Sequence, residues 1–239
     1  MLITGSSRGI GKAVAELAHT KGYTVILNGK TDSAALQTTH RKLDGSHKLV
    51  FDVADKAATQ AAISGFIKEH GRIDVLVACA GVARNFISDI QDADDDKAIE
   101  EYRVNVLGTL HCVQAVLLTM PKGSSVITFG SIKGHPTLTT LSTLTYGPAK
   151  AAVIALTKAL AKVYPDVRFN SVSPGYVRTD QVKDWNDQTF DRINNGTVMG
   201  RIAEPEEIAS MVLFLASDDA SYITGSDILI DGGYSIKGK

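Results

Sequence analysis

Short apolar runs alternate along this chain with longer stretches of helical spacing. Runs at 24–28 (TVILN), 48–51 (KLVF), 73–78 (IDVLVA), 125–129 (SVITF), 168–172 and 227–230 predict strands, after a very short lead-in, Met1-Leu2-Ile3. That lead-in implies either a clipped strand or a natural start upstream of Met1. Continuous apolar strands such as 73–78 belong to parallel sheets buried on both faces. Helical periodicity fills 12–20, 56–70 (Ala57, Ile63, Phe66 and Ile67, stopped by Gly71), about 95–120, 146–164 and 205–217. The polar segment 31–42 reads as a short helix. Pro148 and Pro205 fall in first turns, where a missing N–H is tolerated. The alternation predicts an α/β fold: one doubly wound, Rossmann-like parallel sheet of about seven strands with helices on both faces. Ligands then bind at the carboxyl ends of the strands. The expected domain is 1–239, with the polar segment 181–199 carrying isolated Trp185, Phe190 and Ile193.

Between the first strand and the first helix lies Thr4-Gly5-Ser6-Ser7-Arg8-Gly9-Ile10-Gly11. Glycines there allow a sharp exit from the strand, close backbone approach to a pyrophosphate, and close helix–sheet packing. The helix start adds free N–H groups and the positive end of its dipole. The spacing Gly-x-x-x-Gly-x-Gly is not the commoner Gly-x-Gly-x-x-Gly, so the loop alone does not decide.

Composition narrows the function classes. The chain has 239 residues, 44% of them hydrophobic, and a formal net charge of −1. There is no basic footprint for nucleic acid and no polybasic membrane patch. No apolar run approaches a membrane span and no signal peptide is visible, so a cytoplasmic location is expected. Cys79 and Cys112 sit in apolar surroundings and read as reduced thiols. Scattered histidines without a His-x-x-x-His or Cys-x-x-Cys pair make no metal site. The run Asp92, Asp94, Asp95, Asp96 reads as a solvated helix start.

Tyr146 and Lys150 lie four apart at a helix start and share a face. An ammonium beside a phenol favours the phenolate and lowers its pKa, which suits proton exchange with a carbonyl or alcohol.

These segments together resemble the short-chain dehydrogenase/reductase family over nearly the whole chain. The resemblance rests on Thr4 to Gly11, Asp52-Val53, Val104-Asn105-Val106-x-Gly108, Phe129-Gly130-Ser131, Tyr146-x-x-x-Lys150, Pro174-Gly175-Tyr176-Val177-Arg178-Thr179, and Gly200 to Gly233. It implies that Tyr146 is the proton donor or acceptor, that Ser131 stabilises charge on the substrate oxygen, and that Lys150 lowers the Tyr146 pKa and binds ribose. It further implies that Asn105 holds a water linking Lys150 to solvent. Cofactor contacts are expected from Gly5, Ser7, Arg8, Gly9, Ile10, Gly11, Asn28, Lys30, Thr31, Asp52, Val53, Ala80, Gly81, Tyr146, Lys150, Pro174, Gly175, Val177 and Thr179. Two departures stand out. Ala78-Cys79-Ala80-Gly81 replaces the family's Asn-Asn-Ala-Gly, and Ser131 precedes Tyr146 by fifteen positions, more than is usual. The added length falls in the threonine- and leucine-rich stretch 136–145.

The second strand ends in Asn28-Gly29-Lys30-Thr31, with no acid before Asp32. Lys30 and Arg8 suit the 2′-phosphate of NADP(H), and Asp32 swinging inward would select NAD(H) instead. Trp185, Phe190, Val198 and Met199 in the 181–199 segment resemble a substrate lid. Length and C-terminal pattern are most similar to 3-oxoacyl-carrier-protein reductases. They imply a small carbonyl or alcohol substrate, or a carrier-protein thioester docked on Arg84, Lys122 and Lys133. Sugar or secondary-alcohol oxidation is the second enzymatic reading, and a dinucleotide-binding regulator without turnover is the third. Family members are commonly homodimers or homotetramers, and the small residues of helix 146–164 permit close packing.

Overall fold

The computed structural model describes residues 1–237. Seven parallel strands form one sheet in the order β3-β2-β1-β4-β5-β6-β7. They are β1 (Leu2–Ile3), β2 (Ile26–Gly29), β3 (His47–Val50), β4 (Val75–Ala78), β5 (Ser125–Phe129), β6 (Arg168–Pro174) and β7 (Asp227–Ile230). The α/β doubly wound expectation therefore holds. The strand order reverses between β1 and β4, whose register pairs Leu2 with Leu76 and Ile3 with Val77. A crevice opens there at the carboxyl ends, between the turns that follow the two strands.

Among the described residues, eight α-helices connect the strands: α1 (Gly9–Thr20), α2 (Ala34–Lys42), α3 (Lys56–His70), α4 (Asp95–Tyr102), α5 (Gly108–Val116), α6 (Tyr146–Val163), α7 (Asp187–Gly196) and α8 (Pro205–Ala216). Apolar side chains leave the central strands alternately to either face. Ile3, Leu27, Val77 and Ile127 pack with Val14, Ala18, Ile208 and Val212 under α1 and α8. Leu2, Ile26, Leu76 and Val126 pack with Ile63, Phe66, Val113 and Val116 under α3 and α5. Each fully buried aliphatic side chain of this kind stabilises the fold by roughly 1.5–3 kcal/mol relative to exposure.

Two stretches differ from the sequence expectation. The single helix expected over 95–120 is interrupted by a π turn, Arg103–Leu107, and ends in a 3-10 turn at Leu117–Thr119. The polar segment 181–199 contains α7, capped by Asn186, whose side chain accepts from Thr189 N. Val182 and Ile193 form a small separate core with Ile202, and Trp185, Phe190 and Tyr176 pack against it. Val198 and Met199 are exposed instead. The acidic run does start a helix, with Asp94 as the cap accepting from Lys97 N.

Candidate active site

The glycine turn is fixed from below by residues that the motif itself does not mention. Thr4 Oγ1 accepts from Ala80 N at 3.0 Å, tying the turn after β1 to the turn after β4. Ser6 is fully buried and exchanges hydrogen bonds with Asn28: Ser6 N donates to Asn28 O, and Asn28 N donates to Ser6 Oγ at 2.9 Å. Gly5 has φ +66°, and a Cβ there would stand 2.8 Å from Ala80 Cα. No side chain larger than hydrogen fits between these turns.

The N-terminus of α1 is open for an anion. Its cap, Arg8, makes no side-chain cap, and the first turn carries no acid. In contrast, α2, α3, α4 and α7 are capped by Ser33, Asp55, Asp94 and Asn186. Gly9, at φ +54°, faces Thr179 across the mouth, with Cβ space ending 3.3 Å away at Thr179 Cγ2. Open N–H groups, a positive dipole end and a missing Cβ fit a dinucleotide diphosphate. A cleft of about 560 Å³ is lined by Gly9, Lys12, Arg178, Thr179 and Phe190.

The other expected cofactor residues separate into two groups. Ser7 and Ile10 are half-buried along the crevice, and Arg8 and Gly81 are exposed on it. Gly175 approaches the turn after β7 so closely that a Cβ would meet Asp231 Cα, and Pro174 pairs with Ile230. Lys30, largely exposed, forms an ion pair with Asp52 at 2.9 Å, and exposed Thr31 follows it. Asn28, Val53 and Val177 are buried. The Asn28 amide is used internally, accepting from Gly5 N and donating to Leu49 O and Phe51 O. It braces the glycine turn from beneath.

The chemical centre forms where β4, β5, the π turn and α6 meet. Lys150, only 5% exposed, donates from Nζ to Phe129 O at 2.9 Å. The same Nζ lies 5.7 Å from the centre of the Tyr146 ring. Asn105 sits inside the π turn, a device found mostly at functional sites. Its side chain clasps Val82: Nδ2 donates to Val82 O at 2.8 Å and Oδ1 accepts from Val82 N at 3.1 Å. A Cβ on Gly81 would stand 2.7 Å from Asn105 Oδ1 and 3.4 Å from Lys150 Nζ, so these three residues converge. The Ser131 hydroxyl accepts from Lys133 N and pulls the Tyr146 phenol's pKa down.

Electrostatics here run opposite to the simple lysine–tyrosine argument. Burial pushes the Tyr146 phenol up to about 12; Ser131 pulls it down, while Glu101 and Cys79 push it further up. Burial also brings the Lys150 ammonium down to about 8. Desolvation thus outweighs attraction, because neither charged form is compensated by a full opposite charge. At neutral pH the phenol carries its proton. Cys79, in place of the family's asparagine, has its thiol raised to about 12 by burial. It is a thiol, not a thiolate nucleophile.

The three cations expected to dock an acidic carrier protein do not form one patch. Lys122 precedes β5 and Lys133 follows it, at opposite ends of the strand. Lys122 pairs with Asp166 at 3.4 Å, and Lys133 is buried with Nζ donating to Leu138 O. Among the described residues, no helix is long and apolar enough to cross a membrane.

Residues 5–235 match the family described as enoyl-(acyl carrier protein) reductase. The 3-oxoacyl-[acyl-carrier-protein] reductase FabG of Vibrio harveyi is 34% identical, covering 97% of this chain and 95% of that protein. Carbonyl reductase family member 4 of Xenopus laevis is 33% identical over 98% of this chain and 97% of its own. A solved gluconate 5-dehydrogenase from Burkholderia cenocepacia, in complex with NADP and tartrate, superposes with a TM-score of 0.91 at 29% identity, covering 98% of this chain and 94% of that one. The chain belongs to the short-chain dehydrogenase/reductase family and is an NAD(P)-dependent oxidoreductase acting on CH–OH/C=O groups.

Proposed function

We propose that this chain reduces a ketone or a 3-oxoacyl thioester with NADPH, Tyr146 giving the proton. The observation that carries the reading is the convergence of Tyr146 and Lys150, with Nζ 5.7 Å from the ring centre, beside Ser131 at the carboxyl end of β5. Bound on the glycine turn, the dinucleotide supplies hydride to the carbonyl carbon. Ser131 and Tyr146 hydrogen-bond the carbonyl oxygen, where negative charge develops. The Tyr146 proton moves to that oxygen, and the Lys150 charge stabilises the phenolate left behind. Asn105 and Gly81 hold the wall beside Lys150 and keep its ammonium in place. The FabG and carbonyl reductase relatives support a carbonyl substrate.

A panel of acetoacetyl thioesters, diketones and polyols, each with NADPH and NADH, tests this. Reduction of a thioester or diketone with NADPH is expected. Polyol oxidation with NAD and no carbonyl reduction would replace this reading with the sugar-dehydrogenase one.

The choice of NADPH rests on the charges after β2. Asp32, the acid that would favour NAD, is held by Lys48 at 2.6 Å. Lys30 is mostly exposed, and Arg8 makes no ion pair among the described residues. Lys30 can therefore exchange Asp52 for a 2′-phosphate, and Arg8, at the cap of α1, offers a second cation. Lys30→Glu is expected to lower kcat/KM for NADPH roughly 100-fold and for NADH only a few-fold, since a charged contact is replaced by repulsion. An equal loss with both cofactors would remove Lys30 from the 2′ pocket.

We assign the 181–199 segment as a substrate lid within a single 1–239 domain, with its Trp185 ring edge-on to both Phe190 and Tyr176. Exposed Ile99, Tyr102, Leu107 and Val163 support self-association through α4 to α6, which light scattering would read as a dimer or tetramer.

A further inference from the structure

Glu101 is a buried acid outside the expected catalytic set. It lies on α4, one position before the helix ends, and is 1% exposed. Its Oε1 accepts from two backbone groups of the loop after β4, Arg84 N at 2.6 Å and Asn85 N at 3.0 Å. Its Oε2 accepts from the Thr145 hydroxyl at 2.6 Å. Thr145 is the residue immediately before Tyr146. Four positions after Glu101, Asn105 clasps the same loop at Val82. The loop is also closed on itself, Asn85 Nδ2 donating to Asp94 O and Asp94 N donating to Asn85 Oδ1. A buried carboxylate persists only where its lone pairs are satisfied, and here three donors converge on it.

We propose that Glu101 is a positioning residue for Tyr146: its carboxylate ties the loop after β4 to the residue preceding the phenol and presents negative charge to that phenol. This rests on the reading of Tyr146 as proton donor. The loop after β4 and the start of α6 form two walls of the same mouth, and one side chain links them. Thr145, the residue before α6, makes no side-chain cap to that helix, and its hydroxyl donates to Glu101 instead. Four groups bear on the phenol: Ser131 after β5, Cys79 after β4, Lys150 one turn along α6, and Glu101 from α4. Among them, Glu101 supplies negative charge, which opposes loss of the proton and keeps Tyr146 a donor.

Three variants of the full chain, each loaded with dinucleotide, separate anchor from charge. Thr145→Val cuts the tie and keeps the charge. Thr145→Ser keeps both. Glu101→Gln keeps the three contacts, because its oxygen still accepts from the backbone and its amide donates to Thr145, but it removes the charge. Thr145→Val is expected to lower kcat about tenfold with unchanged dinucleotide affinity, since small misplacements of reacting groups are costly. Thr145→Ser is expected to restore it. In Glu101→Gln, Tyr146 titration, read as phenolate absorbance against Tyr146→Phe, is expected to begin ~1 pH unit lower. Wild-type kcat in Thr145→Val, or a Ser variant as impaired as the Val variant, overturns the anchor. An unmoved Tyr146 titration in Glu101→Gln overturns the charge. Should Glu101→Gln not fold, the Thr145 pair still decides. The titration needs no turnover, so it stands even if no carbonyl in the panel is reduced and the functional reading falls.

Discussion

Tyr146→Phe is expected to lower kcat for carbonyl reduction by about 10³-fold, within the range that a positioned acid contributes, while dinucleotide affinity changes little. Only one oxygen is removed. The ring keeps its place on the first turn of α6, where Gly147 packs against the Lys133 carbonyl and the Thr139 side chain. What disappears is a phenol whose proton is held by burial and whose hydroxyl meets Ser131. Steady-state rates with NADPH and the best substrate of the panel, alongside a dinucleotide titration by fluorescence, check this. Turnover undiminished by the substitution would move the proton donor to another residue.

Lys150→Met is expected to be nearly as severe and to differ in kind. The thioether fills much of the space but offers no charge to the phenolate and no donor to ribose. A loss of about 10²–10³-fold in kcat/KM follows from removing one charged stabilising group, with a weaker dinucleotide complex as well. The wild-type pH profile carries the same signature. Burial brings Lys150 down to about 8, so its charge is present below that pH and lost above it. Reduction measured as kcat/KM, which reports free-enzyme groups, is expected to fall as pH rises through about 8. The Lys150→Met profile is expected to lack that limb. A limb that survives the substitution would belong to another group.

Which parts of this architecture were legible in the chain follows from what sets each one. Strands such as 73–78 and 125–129 are written in continuous apolar runs, because both faces of a parallel sheet are covered. The glycine turn was legible because positive φ at Gly5 and Gly9 and close approach at Gly5 exclude other residues. The π turn at Arg103–Leu107 had no signal, since an inserted residue leaves the helical composition unchanged. In the sequence α7 is only a polar segment; just Ile193 of that helix is buried, and its small core is completed by Val182 and Ile202. Asn28 reads as a cofactor contact by its place near the end of β2, yet its buried amide bonds the backbone of Gly5, Leu49 and Phe51.

Glu101 shows the same limit from the other side. It stands in an acidic, solvated-looking stretch with Asp95, Asp96 and Glu100, and nothing local marks it for burial. Its environment is made by a loop 16 residues earlier in the chain and a threonine 44 residues later. The pairing of Tyr146 with Lys150 was legible from spacing, but the direction of their pKa shifts was not. Spacing gives proximity; desolvation depends on everything packed around the pair.

The most direct test is a crystal structure of the chain with NADPH and a poor carbonyl substrate. The account predicts the diphosphate on the amides at the start of α1, Lys150 Nζ on the ribose, and the Tyr146 and Ser131 hydroxyls both within hydrogen-bond distance of the carbonyl oxygen. A dinucleotide bound there with the Tyr146 hydroxyl turned away from the substrate oxygen would contradict it.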